Sequence, residues 1–327
     1  MGTALSILDL APIGRDGNAA QSLAETVPLA QMAEESGYRR VWYAEHHNMA
    51  RIASSATSVI IAHVACHTER IRLGAGGVML PNHSPLTIAE QFGTLECLHP
   101  GRIDLGLGRA PGADRNTMRA LRRETGSADR FPDDVLELQG YLKGETRIPG
   151  VDAIPGKGTD VPIYILGSSL YGAQLAALLG LPYAFASHFA PAALEEAVAL
   201  YRREFRPSID LDAPYVIAGI NAAVAETRTE AEQQLRRALR SRVASLLAQG
   251  RRLSDEEADS LLDTPAGRHV AEMLTFTAVG TPEEARQYVE AFAASADADE
   301  LMVVLQSSDI ETRLRSGRLL AEACRLG

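Results

Sequence analysis

The sequence predicts an α/β chain folded as a (β/α)8 TIM barrel with insertions after the fourth and seventh strands. Three observations predict it. Short, continuously apolar runs recur along the 327 residues. A stretch with helical spacing follows each run, and no dinucleotide glycine fingerprint follows the first of them.

The eight runs are Ser6–Leu10, Val41–Ala44, Ile71–Leu80, Ile103–Gly108, Ile163–Leu166, Tyr183–Ala186, Tyr215–Ala222 and Leu301–Leu305. Runs apolar on both faces suit parallel strands covered by helices. Between them, Leu23, Val27 and Ala30 recur at one-turn spacing, as do Ile88, Phe92, Leu95 and Leu98. Ser84-Pro85 puts a capping side chain before a proline at the first helical position, and Thr281-Pro282-Glu283-Glu284 adds acids to a first turn. The first run leads into Ala11-Pro12-Ile13-Gly14-Arg15, which lacks the glycine pattern of a doubly wound sheet, so the closed barrel is preferred.

Three connections are long. Arg109 to Arg130 follows the fourth strand, the Gly- and Pro-rich Gly144 to Val161 leads into the fifth, and a charged stretch from about Arg240 to Thr275 follows the seventh. Loops after barrel strands lie on the catalytic face, so the first and third are candidate lids and the second is structural. Residues 1–327 are read as a single domain, with 240–275 the principal lid candidate.

Composition narrows the function. Apolar residues make up 46% and charged residues 23%, as in a water-soluble globular chain. No apolar run nears the roughly 18 residues of a membrane span, and Val59 to Cys66 reads as a buried helix face. The start lacks the pattern of a signal peptide, which leaves the cytoplasm as the expected location. A net charge of −10 argues against a nucleic-acid partner. Cys66, Cys97 and Cys324 have no Cys-x-x-Cys spacing and are expected to be mostly buried, in a reducing compartment.

Four constellations could carry chemistry. Gly74, Gly76 and Gly77 in the third strand imply a bulge or bend, or a flat ligand lying on the backbone. Arg109 ends the fourth strand, placed for an anion or for a surface salt bridge. Gly167-Ser168-Ser169 ends the fifth strand before a helix starting at Leu170-Tyr171. Its amides and hydroxyls suit a phosphate cradle or ordinary capping. Neighbouring strands bring Arg109 and the serines to one spot. His46 and His47 leave the second strand as general bases or proton relays; a metal would need a further ligand that is not evident in the sequence, and none is expected. His63 and His67, a turn apart, read as helix-end residues. No Gly-x-Ser-x-Gly elbow or recognisable carboxylate pair supports a hydrolase.

Taken together and in order, these segments resemble the bacterial-luciferase-like flavin monooxygenases. The resemblance rests on A-E-H-H-N at Ala44–Asn48, G-A-G-G-V-M-L-P-N-H-S-P at Gly74–Pro85, the long match from Gln91 to Gly112, Y-I-L-G-S-S at Tyr164–Ser169 and V-G-T-P-E-E-A at Val279–Ala285. It implies a homodimeric barrel that binds reduced FMN, or in some branches a deazaflavin, with dioxygen and a small-molecule substrate. A separate flavin reductase would supply the reduced cofactor. It also implies a cis peptide at Gly76-Gly77 beneath the flavin ring, phosphate contacts from Arg109, Ser168 and Arg130 beside the Leu170-Tyr171 turn, and a catalytic His46. Where luciferase has a reactive cysteine this chain has Gly108, so light emission is not implied.

Overall fold

The computed structural model describes residues 2–110, 114–123, 126–248 and 250–326. Among the described residues nine strands form one parallel sheet: β1 (Ala4–Asp9), β2 (Arg40–Tyr43), β3 (Arg72–Met79), β4 (Ile103–Gly108), β5 (Ile163–Gly167), β6 (Tyr183–Phe185), β7 (Val216–Val224), β8 (Thr277–Gly280) and β9 (Glu300–Leu305). The order β6-β5-β4-β3-β2-β1-β9-β7 is closed by pairing of β7 with β6, which makes an eight-stranded (β/α)8 barrel. Each of the eight predicted runs is a strand of that ring.

β8 was not predicted. It pairs with Asn221–Val224 of β7, beyond the Val216–Ala218 stretch that meets β6. Four residues are too few for a periodic signal, and the helix start that follows dominates the local pattern. That start is a full capping box between Thr281 and Glu284, with Pro282 in the first turn.

Alternate strand residues divide between two cores. Leu8, Trp42, Ala44, Tyr164, Ala184, Ile217 and Met302 fill the barrel, while the intervening residues meet the surrounding helices. At the amino ends of the strands lies a buried ion cluster. Arg40 donates to Asp104 at 2.8 Å, to Tyr164 at 2.7 Å and to Glu300 at 3.0 Å. Arg72 reaches the other oxygen of Asp104 at 2.5 Å. Charge at that depth is tolerated because each carboxylate is paired and hydrogen-bonded. The cluster closes the floor of the barrel and leaves the carboxyl ends for function.

The 144–161 connection is structural, as its position implies. Its Gly156 packs on Gly93 of the helix Pro85–Leu98, where neither glycine has room for a Cβ. The cysteines differ from expectation. Cys66 and Cys97 are exposed and Cys324 is half-buried, because the first two lie at helix ends on the outward side. Likewise Val59 is exposed, while Ile60, Ile61, Val64 and Ala65 carry the buried face.

Candidate functional site

The carboxyl ends of β2 to β7 converge on one mouth. At β3 the register with β4 shifts between Ala75 and Val78, and the Gly76-Gly77 peptide is cis. The glycines are dictated by space. A Cβ at Gly74 would stand 2.7 Å from Asp104, one at Gly76 2.9 Å from Leu8 and Trp42, and one at Gly77 2.7 Å from the Gly106 carbonyl. The bulge therefore accounts for these glycines by itself. It also leaves Gly76 part-exposed above Trp42, with Gly77 buried against Gly106 and Leu166.

Beside it, β4 and β5 build an anion cradle. Ser169 caps the helix Leu170–Leu179 by position, yet its side chain makes no capping hydrogen bond. Capping thus does not explain Gly167-Ser168-Ser169; the exposed hydroxyls and first-turn amides are uncommitted at the positive end of the helix dipole. Gly167 and Gly172 let strand and helix approach closely, with Gly172 Cα 3.4 Å from a Cβ built at Gly167. Arg109 arrives from β4, its guanidinium carbon 4.2 Å from the centre of the Tyr171 ring. Its Nε donates to the Ala128 carbonyl at 3.2 Å, which holds the side chain over that turn. Leu170 anchors the turn on the main core. Arg130 follows Ala128 and Asp129, the two residues that Arg109 bonds. It is exposed, donates to Asp134 at 3.3 Å and makes no bond to Arg109 or the serines. Residues 111–113 and 124–125 of the first candidate lid lie outside the described residues.

Across the mouth, His46 is half-buried, with its backbone amide donating to the Ser54 carbonyl at 3.0 Å. Its Nδ1 is buried without a hydrogen-bond partner. Burial pushes its pKa below the usual imidazole value, so the ring is neutral at neutral pH. Its neighbours form a separate clamp. Glu45 Oε1 lies 2.8 Å from both His47 Nε2 and His83 Nε2, and Oε2 accepts the Met79 amide at 3.1 Å. The convergent carboxylate and third histidine that the sequence hid are therefore present, with one ligand atom each within 4.8 Å. Hydrogen bonds account for the spacing: they tie the β2 exit to the end of β3 and so orient His46. His67 Nδ1 lies 2.8 Å from the His63 carbonyl, a helix-end arrangement away from the mouth.

Sequence reasoning missed His188. It follows β6 and is half-buried against Gly219 of β7, with Nδ1 buried and unpartnered. A histidine three residues past a strand end was a readable signal. Burial drives its pKa down to about 3, with the charge of Arg242 and the neighbouring His46 acting the same way.

The 240–275 stretch begins inside a helix, Arg228–Leu247, and continues through Asp255–Leu262 and Pro265–Glu272. Val243, Ala248, Leu253, Ala258 and Val270 give it a small core of its own. Arg15 joins it to the loop after β1 by donating to the Leu253 carbonyl at 2.7 Å.

A parallel barrel with its functional side chains at the carboxyl ends of its strands defines the class: a TIM-barrel enzyme. Residues 3–299 match the luciferase-like monooxygenase family, and the chain belongs to that family. It is 46% identical over 319 residues to a luciferase-like monooxygenase of Escherichia coli strain K12, covering 97% of this chain and 95% of that one. It is 34% identical over 339 residues to N-acetyl-S-alkylcysteine monooxygenase of Bacillus subtilis, covering 98% and 97%. Among solved structures, apo-MsnO8 superposes with a TM-score of 0.89 at 36% identity, over 99% of both chains. More distant barrels share the fold alone. They include the oxygenating constituent of 3,6-diketocamphane monooxygenase of Pseudomonas putida in complex with FMN (TM-score 0.75, 16% identity, 98% and 97% coverage). Another is an F420-dependent secondary alcohol dehydrogenase (TM-score 0.73, 15%, 99% and 100%). No helix among the described residues is long and apolar enough to cross a membrane.

Proposed function

We propose that this enzyme is a monooxygenase using reduced FMN and dioxygen on a small organic substrate, with the flavin reduced by a separate partner. The carrying observation is the cradle: two serines free of capping duty, a helix amino terminus and Arg109 stacked on Tyr171 within reach of one anion. The phosphate of FMN suits that donor set, and the part-exposed Gly76, with no side chain of its own, suits a flat ring. Relatives that are 34–46% identical and named monooxygenases support oxygenation over the deazaflavin dehydrogenase reading, for which the F420-dependent barrels are only 15–16% identical.

When bound, reduced flavin supplies the two electrons with which dioxygen gives one oxygen atom to substrate and one to water. The chain's own residues do the rest. Arg109, Ser168, Ser169 and the first-turn amides hold the phosphate, with Tyr171 fixing the guanidinium plane. Neutral His46 takes or lends a proton at Nδ1, an atom with no competing partner. Trp42 and Leu8 keep the floor dry, and the 240–275 helices act as the lid that excludes water. Homodimerisation and a cytoplasmic setting complete the reading, the latter in keeping with three free cysteines. Equilibrium titration with FMN against riboflavin tests it: FMN binding at least tenfold tighter supports the cradle, and equal affinity removes it.

A further inference from the structure

Five carboxylates are buried among the described residues, and four of them pair with an arginine. Asp9 meets Arg313, Asp104 meets Arg40 and Arg72, Asp134 meets Arg130, and Glu300 meets Arg40. Glu45 differs. Its side chain is 2% exposed, yet among the described residues no arginine or lysine pairs with it; its side-chain partners are two imidazoles. His47 Nε2 and His83 Nε2 each lie 2.8 Å from Oε1, while the Met79 amide donates to Oε2 at 3.1 Å and so aims the other oxygen at the two rings. Hydrogen bonds satisfy these oxygens, but neutral imidazoles bring no positive charge to a carboxylate withdrawn from water.

Two imidazole nitrogens and one carboxylate oxygen, all within 4.8 Å of one another, are a donor set for a borderline divalent cation. Soft Cu(I) favours sulfur, and Ca2+ and Mg2+ favour oxygen throughout. Three protein ligands and a fourth position for water make the pattern of zinc. Zinc about 2.0–2.2 Å from each ligand sets the ligand atoms roughly 3.4 Å apart at tetrahedral angles, about half an ångström beyond the hydrogen-bonded spacing. His47 and His83 are 18% and 28% exposed, which gives their rings room to part and gives water access from that side. We propose that Glu45, His47 and His83 form a binding site for one divalent transition-metal ion of the zinc class, joining the exit of β2 to the turn after β3. The site departs from the expectation of no metal because its third ligand comes from a different strand exit. It is independent of the flavin. His46 lies between two of the ligands, so occupancy fixes the backbone on both sides of that imidazole.

The test takes the whole chain, freed of metal with a chelator and without added flavin, and titrates it with Zn2+ by calorimetry and with Co2+ by visible absorbance. One ion per chain should bind, with Co2+ showing the strong visible bands of four-coordination. Glu45→Gln and His83→Gln should each weaken Zn2+ binding at least tenfold, since loss of a residue that only supports a ligand already costs about 10–100-fold. The rival is the surface pair His63 and His67, whose rings are 4.9 Å apart with Cys66 between them in sequence. His67→Ala should therefore leave the affinity unchanged. X-ray absorption at the zinc edge of the wild-type protein should show nitrogen and oxygen neighbours with the imidazole signature and no sulfur. That spectrum decides the matter should either glutamine variant lose its fold by circular dichroism. No saturable uptake by the wild-type protein overturns the assignment, as does an affinity that survives in a folded Glu45→Gln or His83→Gln variant. Loss of binding in His67→Ala, or a sulfur neighbour at the zinc edge, also overturns it and places the ion on the outer helix.

Discussion

Arg109 and Tyr171 meet face on, the guanidinium carbon 4.2 Å from the ring centre, and that contact joins the end of β4 to the first turn of the helix after β5. Neither residue is near the other in sequence, and each alone has a bland explanation. Together they hold a cation, paired with Asp129 at 3.5 Å, beside the first turn of that helix. Arg109→Ala should therefore weaken FMN binding at least tenfold, because a charged hydrogen bond contributes about 1.5–3 kcal/mol. Fluorescence titration measures it, and an unchanged Kd removes Arg109 from the cradle. Arg130→Ala should do less, since that side chain is exposed and turned to Asp134.

His46 is expected to act in turnover without holding the cofactor. His46→Ala should keep FMN affinity within about twofold while lowering product formation by the 10²–10⁴-fold range of a lost acid–base group. Retained turnover at the wild-type rate would exclude that role.

His188 makes stability depend on pH. The folded protein keeps this imidazole neutral down to about 3, whereas an unfolded chain protonates it near 6.5. Between those values the unfolded state binds the extra proton, so stability is complete above 6.5 and falls as pH drops, by up to about 1.4 kcal/mol per pH unit. His46 adds in the same direction. Urea unfolding at about pH 5 and about pH 7.5 should show the loss in wild type and a shallower one in His188→Gln. Equal slopes would mean His188 is not the group responsible.

Arg40 belongs to the floor and not to the site. Removing it leaves Glu300 with Ser6, Tyr215 and only a 3.8 Å ion pair to the exposed Arg39, while Asp104 keeps Arg72 and Trp42. Arg40→Met should cost about 3–5 kcal/mol in urea unfolding. A loss below about 1 kcal/mol would show the cluster to be dispensable.

Lid function predicts protection. Trypsin should cut at exposed Arg251 or Arg252, between the helices that end at Leu247 and begin at Asp255. FMN should slow that cleavage, and equal rates with and without it would count against closure.

All eight barrel strands were legible because each is apolar on both faces, a pattern that owes nothing to distant residues. β8 escaped because four residues carry no period. The lid boundary at Arg240 fell inside a helix, since Arg228–Leu247 buries only Ala231, Gln234 and Val243 and shows no broad apolar stripe. In the site, the serines and Arg109 could be placed on neighbouring strand ends, but their freedom from other bonds could not. Glu45 and His83 stand 38 positions apart, so their clamp with His47 was invisible until the β3 exit folded over β2.

The most direct test of the whole account is a paired equilibrium titration with FMN and with the deazaflavin coenzyme, followed by anaerobic reduction of the bound form and rapid mixing with dioxygen. The account predicts that FMN binds more tightly than the deazaflavin and that the reduced complex consumes oxygen. Preferential binding of the deazaflavin, or a reduced FMN complex inert to oxygen, would contradict it.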